Sequence, residues 1–194
     1  MPESSKTKIY RFVTANEHKY HEASELLEKY NLKLQMISLD KREIQSSDIN
    51  EIAIESAREA FSTIKNDLLV EDAGLFIDVL NGFPGPYSSY VYKTLGVKRI
   101  LGLLNGVNSR GATFKSVVAY SNGKGSIKSF AGITKGVITN FTRGKNGFGF
   151  DPIFIPNGSS RTYAEMALEE KSYFSHRSKA FRRFVGYLSS RNGI

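Results

Sequence analysis

Apolar and polar residues follow one another along this chain in a pattern that predicts alternating strands and helices. Ile9 to Val13 is a short apolar run typical of a strand, and a helical apolar face follows it. The apolar residues of that face are Tyr20, Ala23, Leu26, Leu27 and Tyr30. A second strand is predicted at Leu32 to Leu39. Asp48, with Glu51 three residues later, forms a capping-box pattern and predicts the start of a second helix.

The middle of the sequence contains an apolar run that ends in two adjacent carboxylates. Leu68 to Val70 leads into Glu71 and Asp72, and Ala73-Gly74 predicts a turn before another strand at Leu75 to Leu80. A carboxylate at the end of a buried strand is costly unless a cation binds it. The alternative is a strand end at which both acids point into water.

The second half begins with a β-hairpin pattern. Thr113 to Tyr120 and Ser126 to Thr134 flank an Asn122-Gly123 pair, which is a strong hairpin signal. Strands that alternate with helices and then form a hairpin indicate an α/β fold with a mixed sheet.

A glycine-rich loop, Arg143 to Pro152, interrupts the predicted sheet. Glycines let a backbone approach a ligand closely, and Phe148 or Phe150 could stack on a flat ring. The alternative is a connection whose phenylalanines join the core.

The last predicted helix starts at Ser175, a good N-cap residue. His176 and Arg177 lie in its first turn and Lys171 lies just upstream, although cations oppose the helix dipole at that end. Three such neighbouring residues suggest an anionic or carbonyl-rich ligand, and solvated basic side chains are the alternative.

Composition and charge restrict the class of protein. The 194 residues suit one domain, 1–194, and the absence of cysteine excludes thiolate zinc sites and cysteine nucleophiles. No apolar run approaches the roughly 20 residues of a membrane-spanning helix, and Met1 to Lys6 lacks the apolar core of a signal peptide. We therefore expect a cytoplasmic protein. The formal net charge of +8 favours a polyanionic partner, but no block of like charges points to nucleic acid.

The turn after the first strand, Thr14 to Lys19, is a candidate phosphate site. A strand, a polar turn and a helix together aim backbone N–H groups and the positive helix end at an anion. Lys19 would add a charge. A metal site formed by His18 and His21 is a weaker alternative, because histidines on a polar first turn are usually solvated.

Taken together, these stretches resemble the inosine triphosphate pyrophosphatase family. The resemblance covers about Ile9 to Leu188, and five segments match in order. They are Thr14 to Lys19, Glu43, Glu71 to Tyr87, Gly147 to Pro152, and Glu169 to Arg177.

The resemblance implies a two-lobed single α/β domain around a long twisted mixed β-sheet, with the active site in the cleft between the lobes. It implies a homodimer and Mg²⁺-dependent cleavage of the α–β phosphoanhydride bond of ITP, dITP or XTP, which yields the monophosphate and pyrophosphate. The implied partner is a small-molecule nucleoside triphosphate, with no stable nucleic acid and no membrane.

The resemblance also implies residue roles. Asp72 is the catalytic residue, Glu43 and Asp72 are magnesium ligands, and Glu71 is a possible third ligand. The implied substrate-binding residues are Thr14, Ala15, Asn16, Glu17, His18, Lys19, Ala73, Phe148, Gly149, Phe150, Asp151, Lys171, His176 and Arg177. Because coordination to a metal reduces the basicity of a carboxylate, we expect Asp72 mainly to orient the attacking water.

Two other functions stay open at this point. One is a nucleoside triphosphate pyrophosphatase of different base preference, since phosphate and metal positions say little about the base. The other is a non-catalytic nucleotide- or nucleic-acid-binding module. Glu43, Glu71 and Asp72 count against that module, because they would repel phosphates unless Mg²⁺ intervenes.

Overall fold

A mixed β-sheet with helices on both faces forms the framework of the protein. The computed structural model describes residues 8–40 and 44–192. The strands are β1 (Ile9–Val13), β2 (Lys33–Ile37), β3 (Leu68–Ile77), β4 (Pro84–Gly85), β5 (Gly111–Ser121), β6 (Ile127–Ile138) and β7 (Phe154–Pro156). The helices are α1 (Glu17–Glu28), α2 (Ile49–Ile64), α3 (Ser88–Thr94), α4 (Gly96–Leu103), α5 (Leu168–Phe174) and α6 (His176–Asn192). No helix within these described residues is long and apolar enough to cross a membrane.

The strand order is β2-β1-β3-β5-β6-β7, and β4 pairs with β3 beside this path. β1 is parallel to β2 and β3, whereas the β3–β5, β5–β6 and β6–β7 pairs are antiparallel. This arrangement confirms the predicted α/β fold with a mixed sheet.

Three hydrophobic clusters fill the space around the sheet. One packs α1 and α6 against one face of β1 and β3, around Phe12, Leu69 and Phe181. A second packs α2 against the opposite face. The third surrounds the far ends of β3 and β5 and includes residues of α3 and α4. All three clusters pack against the one mixed sheet.

The start of α2 lies where the sequence predicts it, but its capping contacts differ from a capping box. Asp48 is the N-cap, and its carboxylate accepts a hydrogen bond from the N–H of Asn50 at 2.8 Å. The carboxylate of Glu51 accepts the Ser46 hydroxyl at 2.6 Å, and the N–H of Asp48 donates to that same hydroxyl at 3.0 Å. Ser46 therefore connects the two groups that a capping box would join directly.

The predicted turn at Ala73-Gly74 is wrong, and the strand predicted at Leu75 to Leu80 is confirmed only as far as Ile77. β3 runs without a break, and each of its residues pairs with β5. Gly74 is required for a different reason: a Cβ atom there would overlap the carbonyl of Gly85 in β4. The glycine thus marks a close approach of two paired backbones, and a 3-10 turn (Asp78–Leu80) follows the strand.

Along the edge that faces away from β5, β3 has two partners, β1 and β4, which leave a space between them. β1 pairs with Leu68 to Val70, and β4 pairs with Leu75 and Phe76. Residues 71–74 lie between these partners, and they include both predicted carboxylates, Glu71 and Asp72. We call this stretch the β3 gap.

Replacement of Gly74 by alanine should destabilise the fold, since the added methyl group would collide with the Gly85 carbonyl. We expect a loss of about 1–3 kcal/mol in the free energy of unfolding, measured by urea denaturation. Gly102→Ala is the matched control: Gly102 lies exposed in α4 with no atom within 4 Å of a new Cβ. That variant should be neutral or slightly stabilised, and equal losses in both variants would contradict the close contact between Gly74 and the Gly85 carbonyl.

Candidate active site

Lys19 occupies the β3 gap. Its Nζ donates a hydrogen bond to the backbone carbonyl of Glu71 at 3.1 Å and lies 2.9 Å from Glu71 Oε2 and 3.9 Å from Asp72 Oδ1. A lysine side chain from α1 therefore supplies the contact that a neighbouring strand would otherwise make with the Glu71 carbonyl. It also places a positive charge between the two predicted carboxylates.

The carboxylate of Glu71 is fully enclosed. Its side chain has 0% exposed surface, and its Oε1 accepts the Ser116 hydroxyl at 2.6 Å and Arg177 Nε at 3.2 Å. Burial alone would raise the pKa of Glu71, but the charges of Arg177 and Lys19 outweigh it and lower the pKa to about 2. Glu71 is therefore a permanent buried anion between Lys19 and Arg177.

Asp72 points to the opposite face of the sheet, because successive side chains of a strand alternate. Its side chain is 27% exposed, in contrast with the enclosed carboxylate of Glu71. The structure thus separates the two neighbouring acids: Glu71 holds protein cations, and Asp72 presents a carboxylate that a ligand can reach.

The predicted phosphate turn has the local geometry of a capped helix. Asn16 is the N-cap of α1 and its side chain accepts the N–H of Lys19 at 3.2 Å. The Thr14 hydroxyl in turn accepts the N–H of Asn16 at 3.1 Å. Ala15, Glu17 and His18 are exposed at this end, where an α-helix leaves its first N–H groups unbonded. The turn can therefore offer amide donors to an anion.

A second group of charges lies on the α6 side of the site, and it centres on Glu22 of α1. Lys171 Nζ lies 2.5 Å from Glu22 Oε1 and 2.6 Å from Asp151 Oδ2. Arg177 Nη1 pairs with the other oxygen of Glu22. The N–H of Phe148 donates to Asp151 Oδ2 at 2.8 Å, which fixes the glycine-rich loop against these charges. Together with Lys19 and Glu71, these residues form what we call the buried charge network.

Burial and pairing shift the pKa values of this network in opposite directions. Burial would raise the pKa of Glu22, but Arg177 and Lys171 lower it to about 2. Burial raises the pKa of Asp151, which Lys171 offsets only in part. Burial would lower the pKa of Lys171, whereas Asp151 and Glu22 raise it above its usual range. Lys171 and Arg177 are therefore held as cations in fixed positions.

The aromatic residues predicted for base binding divide into two kinds. Phe150 is 3% exposed and packs in the core against Tyr92, with ring centroids 5.7 Å apart, so its ring is a core element and a ligand would meet its backbone. Phe148 is only partly buried, and Lys171 Nζ lies 5.3 Å from its ring centroid. Phe148 is therefore the ring that borders the charge network.

His176 is enclosed beside the network. Its ring stacks on Phe114 at 4.5 Å with a 7° interplanar angle, and its Nδ1 is buried without a hydrogen-bond partner among the described residues. Burial, together with the charge of Arg177, holds the pKa of His176 well below its usual range, so the imidazole is neutral at pH 7. An unsatisfied neutral imidazole can donate to or accept from a ligand.

Two residues of the site escaped the sequence prediction. Glu22 lies one helical turn after Lys19 and was not singled out, although that spacing puts both on one side of α1. Ser116, which donates to Glu71, lies in a strand whose pattern predicts only core packing. The spacing in α1 was an available signal for Glu22, whereas no local signal marks Ser116.

The described residues fit a magnesium ion only in part. Asp72 offers an accessible carboxylate, whereas the oxygens of Glu71 are enclosed and face Lys19 and Arg177, so we do not place Glu71 among the ligands. Glu43 lies outside the described residues. Within residues 8–40 and 44–192 there is no group of three or more His, Asp and Glu side chains that would hold a metal alone. Mg²⁺ commonly uses one or two carboxylates together with substrate phosphates and waters, and Asp72 suits that kind of site.

Comparison with known proteins identifies the family of the chain. The model of the Ham1 family matches residues 10–187 of the chain. The chain belongs to the Ham1 family. This membership confirms the resemblance to inosine triphosphate pyrophosphatases.

Relatives within the Ham1 family are similar along nearly their whole length. The dITP/XTP pyrophosphatase of Saccharolobus solfataricus is 46% identical over 178 residues, which cover 92% of this chain and 92% of that protein. That of Methanopyrus kandleri is 47% identical over 179 residues, covering 92% and 95%. The structure of a HAM1 protein from Coxiella burnetii has a TM-score of 0.80 at 31% identity, covering 94% of this chain and 98% of that one. The Ham1 protein of Staphylococcus aureus also gives 0.80, at 26% identity, covering 95% and 99%.

The lowered pKa of Glu22 predicts a pH dependence of stability. Its pKa falls from 4.5 to about 2 on folding, so its stabilising contribution is complete above about pH 5 and is lost as the pH falls towards 2. One such group loses about 2 kcal/mol between about pH 5 and pH 3. Over that interval, Glu22→Gln should therefore lose about 2 kcal/mol less unfolding free energy than the wild type in urea denaturation.

Glu28→Gln is the control for this measurement, because Glu28 is exposed on the same helix. It should follow the wild-type pH dependence. Parallel curves for Glu22→Gln and the wild type would show that Glu22 is not the buried anion described here.

Proposed function

We propose that this protein is a Mg²⁺-dependent pyrophosphatase that cleaves the α–β phosphoanhydride bond of deaminated purine nucleoside triphosphates. The products are the monophosphate and pyrophosphate, and the substrates are dITP, XTP and ITP. The observation that carries the proposal is the pair of carboxylates in the β3 gap: enclosed Glu71 holds Lys19, and accessible Asp72 lies beside it. Two Ham1-family relatives named dITP/XTP pyrophosphatases, at 46% and 47% identity, support this substrate class.

The charges of the site support a metal requirement. Lys19, Lys171 and Arg177 are each already paired with protein carboxylates. A triphosphate brings up to about four negative charges, and Mg²⁺ would offset them at Asp72, with Glu43 as the expected second ligand. Asp72 would orient a water molecule for attack, because its carboxylate is reachable. Lys19 would hold that carboxylate in place, since Lys19 Nζ lies 3.9 Å from Asp72 Oδ1.

Recognition of the base is assigned to the α6 side of the network. Hypoxanthine and xanthine carry a carbonyl at C6, where adenine carries an amino group. Arg177 and neutral His176 can donate hydrogen bonds to that carbonyl, and Phe148 provides a flat surface. Because Glu22 and Glu71 fix the guanidinium of Arg177, an adenine amino group would face donors that cannot turn away. One such mismatch costs about 1–3 kcal/mol.

A homodimer and a cytoplasmic location are parts of the same proposal, and both rest on the resemblance to the family. Sedimentation equilibrium of the purified chain measures the first. Binding of nucleic acid without turnover is the competing function, and it would show a steep decrease of affinity with salt.

The activity itself is tested with a panel of dITP, XTP, dGTP and dATP, with Mg²⁺ or with EDTA. We expect pyrophosphate from dITP and XTP in the presence of Mg²⁺ only, and Asp72→Asn should reduce kcat by roughly a hundredfold or more. Asp78→Asn is the control, since Asp78 is exposed just after the same strand. Orthophosphate as the product, or full activity of Asp72→Asn, would contradict the proposal, and a preference for dATP would indicate a different base specificity.

Base selectivity gives a separate expectation for Arg177. Arg177→Ala would take one of the two cationic partners from each of the buried carboxylates of Glu22 and Glu71, so Arg177→Lys is the better variant. Lysine keeps the charge but loses the planar fork, so the ratio of kcat/KM for dITP over dATP should narrow about tenfold. Arg183→Lys, exposed on the same helix, should leave the ratio unchanged. An equal decrease for both substrates would show that Arg177 does not read the base.

A further inference from the structure

The imidazole of His18 lies on the ring of Phe148. Their centroids are 5.0 Å apart and their planes differ by 9°, which is a parallel stack. His18 is in the first turn of α1, and Phe148 is in the glycine-rich loop. The stack therefore connects the predicted phosphate turn to the predicted base surface.

The neighbours of the Phe148 ring differ in burial. Lys171 Nζ and Arg177 Cζ lie 5.3 and 5.4 Å from the Phe148 centroid, and each of these residues is only 3% exposed. His18, in contrast, is exposed. The cations thus border Phe148 from the interior, and the imidazole borders it from solvent. A flat molecule that approaches Phe148 from solvent meets His18 first.

We propose that His18 is an intramolecular competitor of the substrate base: it occupies the stacking surface of Phe148 and must be displaced when a nucleotide binds. This proposal rests on the proposed function, in which the base stacks on Phe148. Two flat rings cannot share one face of Phe148, so each nucleotide must break the His18–Phe148 stack before its base can bind. An exposed side chain can leave by rotation of its own dihedral angles, and the helix need not unfold.

The competition lowers the affinity of the site for the base but does not change its affinity for the phosphates. A protein whose binding-competent state is only a fraction of the whole shows an affinity reduced by that fraction. Aromatic stacks are weak enough for a nucleotide to break and strong enough for the resulting penalty to be measured. His18 would therefore raise the substrate concentration at which the site fills.

The test compares His18→Ala with the wild type for dITP turnover and for inhibition by two probes. We expect KM for dITP and the inhibition constant of dIMP to fall roughly two- to tenfold, because the base no longer has to displace the imidazole. Inorganic tripolyphosphate, which has phosphates but no base, should inhibit both proteins equally. His21→Ala, exposed on the same helix, is the control and should match the wild type. In a Phe148→Leu background, His18→Ala should have no further effect.

Three results would overturn the proposal. Weaker binding of dITP and dIMP to His18→Ala would show that His18 contacts the base. Unchanged binding would show that the His18–Phe148 stack does not reduce the affinity for the base. If the inhibition constant of tripolyphosphate fell as much as that of dIMP, the effect would lie at the phosphate turn. If the wild type releases no pyrophosphate from dITP, the proposed function fails, and direct binding of dIMP to the two proteins still decides whether His18 competes.

Discussion

The enclosed carboxylate of Glu71 is the group on which the rest of the site depends. It lies in the β3 gap and pairs with Lys19 from α1 and Arg177 from α6, and the hydroxyl of Ser116 in β5 also donates to it. A buried charge of this kind persists only when opposite charges and hydrogen bonds surround it. Three elements from different parts of the chain therefore meet at one side chain, and the sheet is open where they meet.

This arrangement fixes the cations before a ligand arrives. Lys171 and Arg177 each pair with the carboxylate of Glu22, and this shared contact keeps both side chains in position. Preorganised charges need no rearrangement when a polyanion binds, which is an advantage for a site that must handle a triphosphate. Because these cations are already neutralised, we propose that a metal cation bound at Asp72, the reachable acid, offsets much of the negative charge of the phosphates. The residues proposed to bind the phosphates and those proposed to bind the base are therefore linked through the buried charge network.

Local patterns in the sequence predicted most of the fold, and together with the family resemblance they singled out many of the residues that the structure brings together at the candidate site. Ile9–Val13 is the first strand as predicted, and Asn122-Gly123 lies in the hairpin connection between β5 and β6. The prediction failed where a distant contact decides the structure. Gly74 suggests a turn, but it allows the carbonyl of Gly85 in β4 to lie close to β3, and no neighbouring residue reveals that contact. Phe150 and Phe148 look equivalent in the sequence, yet one packs against Tyr92 and the other borders the site. The role of Glu22 depends on residues about 150 positions away, as its hydrogen bonds with Lys171 and Arg177 show.

A double-mutant cycle between Glu71 and Arg177 tests most directly whether this pair holds the site together. The free energies of unfolding of Glu71→Gln, Arg177→Met and the double variant are compared with that of the wild type. Each single variant takes one partner from a buried charge, Arg177 or Glu71, whereas the double variant removes both charges. We predict that the double variant loses at least about 1.5 kcal/mol less than the sum of the single losses. Losses that add to within about 0.5 kcal/mol would contradict the account, because Glu71 and Arg177 would then be energetically independent.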